Sequence, residues 1–164
     1  GHLPAIDIGT SVSRVGGKAQ LPAFRAVAGS LRLMYAQFEE VESFARFGTQ
    51  LDAETRRKLT RGRRVRAVLT QREHDHFAVP EQIAVLLAAT EGLFDHLAPE
   101  EVGAAEATLR GAVRERLPDL AADIEAGAPL TDAARAELLE ALRAALGLED
   151  GDESETGGAR DGDA

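Results

Sequence analysis

The chain has 164 residues, of which 44% are hydrophobic, and this is enough for one domain with one sizeable core. It has no cysteine, which excludes a disulfide framework and a thiolate metal site. The net charge is −9, but residues 149–164 hold seven acidic side chains and one arginine, so residues 1–148 carry only −3. The sequence shows neither an apolar run of about 18 residues nor a leader pattern, so we expect a soluble chain.

Residues 1–21 do not follow the pattern of the rest of the chain. The stretch LPAIDIG alternates Ile6 and Ile8 around Asp7 and ends at Gly9, which predicts a short strand and a turn. No partner strand is evident in the sequence, and a lone strand is not stable. We therefore expect an extended N-terminal arm whose sheet belongs to a larger protein than this chain.

From residue 22 onward, apolar residues recur at steps of three and four, which predicts helices with one apolar face each. Prolines and polar caps indicate where these helices begin, and glycine or proline indicates where they end. We predict an all-α helical bundle over residues 22–148, with Pro118 interrupting or kinking the fourth helix. The predicted boundaries are Pro22 and Gly48 for the first helix, a start near Asp52 for the second, Pro80 for the third, Pro99 for the fourth, and Thr131 to Leu146 for the last.

The same periodicity predicts which side chains face the core of the bundle. No internal repeat stands out, so we expect these side chains to form one core. They are Phe24, Val27, Ala28, Leu31, Tyr35, Phe38, Val41, Ala45, Leu59, Val65, Leu69, Ile83, Leu86, Leu87, Thr90, Leu93, Phe94, Val102, Ala105, Leu109 and Val113.

Residues 149–164, EDGDESETGGARDGDA, contain no large apolar side chain. Such a segment cannot bury enough apolar surface to offset the entropy cost of ordering. We predict a disordered acidic tail, interpreted as a solvated terminus, with an acidic interaction segment as the alternative.

Two short motifs suggest sites that the sequence does not support. The run GGK at residues 16–18 is not a phosphate-binding loop, because Val12 stands where the first glycine is needed and Ala19 where Ser or Thr should hold magnesium. The run HDH at residues 74–76 matches no standard metal spacing and has no evident third ligand, so we predict no metal site.

A basic run covers most of the predicted second helix. No aromatic platform interleaves it and the body of the protein is not basic, so we expect no nucleic-acid partner. A solvated helix face is the simpler interpretation, and salt bridges or the acidic surface of a partner are the alternative. The run consists of Arg56, Arg57, Lys58, Arg61, Arg63, Arg64 and Arg66.

The stretch PAIDIGTSVSRVGGKAQ contains the distinctive run Ser-Val-Ser-Arg-Val-Gly, and it is followed by VAGSLRLMYAQFEEVESFARFG, LDAETRRKLTRGRRVRAVLTQ and PEQIAVLLAATEGLFDHL. These stretches resemble the C-terminal part of the alpha subunit of the F-type rotary ATP synthase. The resemblance is close over residues 3–97 and rests on helical pattern alone over residues 98–148. It implies that residues 1–21 end a nucleotide-binding domain and carry an arginine-finger loop, and that residues 22–148 form the C-terminal helical domain.

The resemblance assigns to Arg14 the role of the family's arginine finger. In the family, this arginine reaches across a subunit interface to the terminal phosphate of the nucleotide held by the neighbouring beta subunit. A planar, permanently protonated guanidinium can contact two phosphoryl oxygens at once as charge spreads in the transition state. Gly16 allows the loop to turn sharply, and Ser11 and Ser13 can fix it through backbone hydrogen bonds. Without the resemblance, a loop arginine would be interpreted as an ordinary solvated residue.

Other positions match the family with differences. Gln71 matches a glutamine that lines the adenine pocket of the family's non-catalytic site. The sequence departs from the family at Glu73, where a second glutamine is expected, and at Leu3, where the family usually has arginine. The loop with Gly48 and Asp52 corresponds to a rotor-contacting loop and is expected to face the central stalk, with an ordinary helix connection as the alternative.

The implied function is that of the C-terminal domain of the ATP synthase alpha subunit within an alternating alpha-beta hexamer. It supports ATP synthesis or hydrolysis coupled to translocation of protons or sodium ions. The implied partners are the beta subunit and the central-stalk gamma subunit, with a peripheral-stalk subunit as a further candidate. The implied location is cytoplasmic, peripheral on the inner face of the plasma membrane.

The resemblance implies ATP or ADP with magnesium in the assembled complex and no cofactor or metal for the isolated chain. Because the family's phosphate-binding loop lies N-terminal to the matched region, we expect the isolated chain to be inactive. The alternative is a stand-alone helical interaction module, or a truncated remnant with no catalytic role.

Overall fold

The computed structural model describes residues 21–45, 51–70 and 77–148. Every regular element in these ranges is helical and no strand occurs there, which confirms the predicted all-α fold. The predicted arm in residues 1–20 and the acidic tail in residues 149–164 lie outside the described residues. The elements are α1 (Pro22–Ala45), α2 (Ala53–Leu69), α3 (Val79–Glu91), a single 3₁₀ turn (Pro99–Glu101), α4 (Val102–Arg116), α5 (Pro118–Glu125) and α6 (Asp132–Ala145).

Side-chain caps set the N-terminal ends of two helices, and the cap at Asp52 is the one that the sequence predicted. The carboxylate of Asp52 accepts a hydrogen bond from the Thr55 N–H at 2.6 Å and caps α2. The hydroxyl of Thr131 accepts one from the Ala134 N–H at 3.2 Å and caps α6. Each bond satisfies an amide that the first turn of a helix leaves without an intrahelical partner.

The helix α3 ends earlier than the apolar periodicity suggests. Gly92 has φ +82°, a left-handed conformation that ends the helix and that glycine adopts without steric cost. Leu93 and Phe94 are buried, as predicted, but they lie in the turn after the helix. Apolar periodicity identified their burial and not their backbone conformation, because a turn can also direct side chains into a core.

Prolines divide the second half of the chain. Pro99 opens a 3₁₀ turn, and α4 follows it, so the fourth helix begins slightly later than predicted. The carboxylate of Glu101 accepts a hydrogen bond from the Ala98 N–H at 2.7 Å and stabilises this turn. Pro118 interrupts the helix and does not merely kink it: α4 ends at Arg116 and α5 begins at Pro118, whose ring excludes a continuous ladder of helical hydrogen bonds.

The helix α3 lies at the centre of the bundle and packs against α1, α2, α4, α5 and α6. Its side chains Ile83 and Leu87 are almost completely buried, and they join one hydrophobic cluster that extends to Leu142 on α6. Most of the predicted core is buried. Some predicted residues are only partly buried because they lie at the edges of the apolar faces: Phe24, Ala28, Val41, Ala45, Leu69, Leu86 and Thr90.

The outer surface of the described residues is mostly polar. Large apolar side chains that remain strongly exposed there are limited to Leu33 and Phe44, both on α1. None of the described helices combines the length and the apolar composition that a membrane span requires.

Candidate functional site

Most of the predicted site residues fall outside the described part of the protein, so the structure informs on them through the residues that flank them. Asp52 is the predicted site residue that the structure describes. The others lie in the segments 1–20, 46–50 and 71–76, and they are Ser11, Ser13, Arg14, Gly16, Gly48 and Gln71.

The segment that carries Arg14 runs directly into a packed helix. The carbonyl of Leu21 accepts a hydrogen bond from the Arg25 N–H at 3.0 Å, so helical bonding starts at the first described residue. Ala23 and Val27 follow at once and are buried in the core. Any loop before Leu21 is therefore attached to a helix that the bundle holds in place.

Asp52 serves as the cap of α2. Its hydrogen bond from the Thr55 N–H is the main reason that the pKa of its carboxyl lies below the ordinary value, and the nearby charges of Lys58 and Arg56 act in the same direction. The Asp52 side chain is exposed, so the carboxylate that caps α2 also faces solvent. A role of this loop at the central stalk stays a prediction.

The two residues that flank the segment 71–76 are both anchored. The Thr70 hydroxyl donates to the carbonyl of Arg66 at 2.8 Å and closes the last turn of α2. On the other side, the Gln82 amide donates to the carbonyl of Phe77 at 2.7 Å. The guanidinium of Arg110 on α4 lies 3.5 Å from the centroid of the Phe77 ring, which is cation–π contact distance. The segment that carries Gln71 thus begins and ends at fixed points.

The basic run on α2 divides into residues with partners and residues without them. Lys58 pairs with Glu54 at 2.7 Å and Arg61 pairs with Asp95 at 2.9 Å. Arg64 donates to the carbonyl of Leu97. The contacts of Arg61 and Arg64 join α2 to the turn after α3, so this part of the run holds the bundle together.

Arg66 makes the most extensive set of contacts in the run. Its guanidinium donates to both carboxylate oxygens of Glu42, at 3.0 and 2.7 Å, and to the Tyr35 hydroxyl at 3.2 Å. The same group lies 4.7 Å from the centroid of the Phe38 ring. The hydrogen bond to Glu42 is the largest reason that the pKa of Arg66 is raised. Both side chains are largely removed from solvent, so this fork ties α1 to α2.

Sequence reasoning missed the pairing of Arg66 and the anchoring role of Arg110. One signal was available for Arg110, because Glu106 lies four residues earlier on α4 and the two side chains pair at 2.7 Å. No local signal points to Phe77, which is 33 positions away from Arg110 in the sequence and follows a loop. A contact between a cation and an aromatic ring that are far apart in the sequence leaves no periodic pattern, so the sequence alone does not predict it.

The described residues form a helical domain that holds the residues on either side of the segments with the predicted site.

The family model described as ATP synthase alpha/beta chain, C terminal domain, matches residues 20–145. The protein is 56% identical over 149 residues to ATP synthase subunit alpha 2 of Syntrophus aciditrophicus, covering 91% of its own length and 29% of that relative. It is 53% identical over 146 residues to ATP synthase subunit alpha 1 of Chlorobium luteolum, covering 89% of its own length and 29% of that relative.

The protein belongs to the family of C-terminal domains of ATP synthase alpha and beta subunits, and it corresponds to the C-terminal part of an alpha subunit. This confirms the resemblance drawn from the sequence. The chain spans less than a third of the length of these relatives, 29% in both cases.

Proposed function

We propose that this chain works as the C-terminal part of an alpha subunit in a rotary ATP synthase, which makes or hydrolyses ATP and couples this to ion translocation. The observation that carries the proposal is the identity of 56% to an ATP synthase alpha subunit across 91% of the chain. In this proposal the protein assembles with the beta subunit, the central-stalk gamma subunit and a peripheral-stalk subunit. The complex lies on the cytoplasmic face of the membrane, and the chain itself is peripheral.

The chemical contribution of the chain in this proposal is Arg14. A guanidinium presented by one subunit to a nucleotide on another stabilises the charge that develops on the transferred phosphoryl group. Its planar fork matches two oxygens at once, which an ammonium group cannot do. The entry of the backbone at Leu21 into a buried, hydrogen-bonded helix supports this role, because a finger needs a fixed base.

Nucleotide and magnesium are held mainly by other parts of the complex in this proposal. The run at residues 16–18 lacks the glycine and the hydroxyl that a phosphate-binding loop needs. Gln71 contributes to an adenine pocket, and the anchors at Thr70 and Phe77 support this by holding the ends of its segment. The isolated chain is accordingly expected to show no ATP turnover.

In this proposal the exposed N-terminal end of α2, with Asp52, provides a contact to the central stalk. Asp52 stays ionised across the physiological pH range, since its pKa is lowered by the hydrogen bond from Thr55. An exposed carboxylate next to a loop with Gly48 suits a contact that must form and break as the stalk turns.

The experiment uses a full-length alpha subunit with this C-terminal part, assembled with beta and gamma. Arg14→Ala should lower multisite ATP turnover by about 10³-fold or more, the scale on which arginine fingers act, while assembly and nucleotide affinity persist. Arg14→Lys restores charge without the fork and should restore little of the rate. The matched control is Lys18→Ala, which removes a cation from the same segment and should leave turnover close to wild type.

Steady-state hydrolysis and nucleotide titration on one preparation separate the possible results. Near-normal turnover of Arg14→Ala would show that Arg14 is not the finger. Failure of that variant to assemble would show that Arg14 is a structural residue, and an equal loss of rate in the Lys18 control would show a general charge effect.

A further inference from the structure

Three arginines of the basic run on α2 make no hydrogen bond or ion pair within the described residues: Arg56, Arg57 and Arg63. All three are exposed to solvent. Arg56 and Arg63 are seven residues apart, about two helical turns, so they lie on the same side of α2. Arg57 follows Arg56 in the sequence, and its side chain leaves the helix about 100° further round, so it borders this side. We call these three residues the arginine face.

The acidic side chains near the arginine face are already engaged. Asp52 accepts the Thr55 N–H, and Glu54 pairs with Lys58 at 2.7 Å. The remaining basic residues of α2 meet carboxylates or a carbonyl on other parts of the bundle. Asp52 still carries its negative charge close to Arg56, so the three positive charges of the arginine face stand against one nearby negative charge on α2, and the face stays positive.

The complementary charge lies in the same polypeptide. Residues 149–164 carry seven acidic side chains and one arginine, so this segment holds −6 of the total charge of −9. It has no large apolar side chain that could join the core, so any contact it makes with the bundle is electrostatic. We propose that the acidic segment 149–164 docks on the arginine face of α2. The proposal is independent of the function proposed above.

The acidic segment has the reach for this contact. Arg135, near the start of α6, pairs with Glu91 at the end of α3, and Asp95 a turn later pairs with Arg61 in the middle of α2. The start of α6 is therefore linked to α2 through two ion pairs and the turn after α3, and the 14 residues of α6 extend over about 21 Å. A segment of 16 residues spans up to about 50 Å when extended, which exceeds this distance.

Several weak contacts act together here. Each exposed ion pair is weak by itself, and salt screens it. Because the segment is covalently joined to the bundle, its effective concentration at the arginine face is roughly in the millimolar range. Each arginine also presents a planar fork that can bind one carboxylate through two parallel hydrogen bonds. The consequence is a self-masked surface, since an acidic partner must displace the segment before it can contact the arginine face.

The test uses the full chain, which has no natural cysteine and therefore accepts a single spin label at Ser154→Cys without competing sites. At about 10 mM salt, where the Debye length is about 30 Å, the label should lower the amide signals of Arg56, Arg57 and Arg63 by roughly twofold or more. At about 1 M salt, where the Debye length is about 3 Å, the signals should recover.

Two matched double variants decide whether the arginine face is the docking surface. Arg56→Gln with Arg63→Gln should abolish the effect of the label on α2. Arg32→Gln with Arg116→Gln removes the same charge from exposed positions elsewhere on the bundle and should leave the effect in place. Undiminished α2 signals at low salt would overturn the proposal, as would an effect that persists in the Arg56 and Arg63 variant or one centred on another helix.

Discussion

Gly62 lies at a close approach between α1 and α2. A Cβ atom at this position would lie 2.0 Å from a ring atom of Phe38, a separation that carbon atoms do not tolerate. Phe38 is itself almost completely buried, so its ring has little room to move. The absence of a side chain at Gly62 is what lets the two helices meet over this ring.

We therefore expect Gly62→Ala to lower the free energy of unfolding by about 1–3 kcal/mol, the usual cost of overpacking a close-packed site. Urea denaturation of the two proteins measures the difference. Gly29→Ala is the matched control, because an added Cβ there meets nothing within 4 Å and alanine favours the helix by about 0.5–1 kcal/mol. An equal response of both variants would mean that the Phe38 ring does not set the helix spacing.

The pairing of α1 with α2 depends on a polar contact as well as on packing. Arg66 on α2 binds both carboxylate oxygens of Glu42 on α1 and also donates to the Tyr35 hydroxyl. The side chains of Arg66 and Glu42 are 29% and 21% exposed, so water screens the pair only in part. Glu42 is partly buried, and removal of Arg66 would leave its carboxylate without this guanidinium.

We expect Arg66→Ala to cost about 1.5–3 kcal/mol of stability, the range for hydrogen bonds to a charged group. Arg66→Lys should recover only part of this, since an ammonium cannot bind both oxygens in parallel. Arg32→Ala, at an exposed position of α1, should change stability by less than about 0.5 kcal/mol. Thermal and urea unfolding measure all three variants, and an Arg66→Ala protein as stable as wild type would show that the fork contributes nothing net.

The bundle as a whole is organised around α3, so helices from both ends of the described sequence share one core. Tyr35 on α1 and Leu142 on α6 belong to the same cluster of buried residues, although more than a hundred positions separate them. A shared core predicts one cooperative unfolding transition for the domain. Tyr35 is the single tyrosine of a protein without tryptophan, so its fluorescence reports on α1 alone.

We expect Leu142→Ala, at a position with 0% exposure, to destabilise the domain by about 2–5 kcal/mol through loss of burial and an internal cavity. The shift should be the same whether unfolding is followed by helical circular dichroism or by Tyr35 fluorescence. A shift seen by circular dichroism but not at Tyr35 would show that α6 unfolds separately from α1.

Local signals in the sequence were enough to place the helices. The starts at Pro22 and Thr131, the cap at Asp52 and the interruption at Pro118 each depend on residues within one or two turns, and all four appear in the structure. Apolar periodicity identified most of the core for the same reason. The interpretation of Arg14 and Gln71 came from resemblance and not from local chemistry, because a solvated arginine and a finger look alike in a single sequence.

Local sequence signals did not predict which partners the charged side chains of α2 meet. Four arginines lie close together on α2, yet each has a different environment. Arg61 pairs with Asp95, and Arg64 donates to the carbonyl of Leu97. Arg66 pairs with Glu42, and Arg63 faces solvent. The residues they meet are 24 to 34 positions away in the sequence. The packing of α2 against α1 and the turn after α3 sets these pairings, since an ion pair requires atoms within about 4 Å and a helical period fixes only the direction of a side chain.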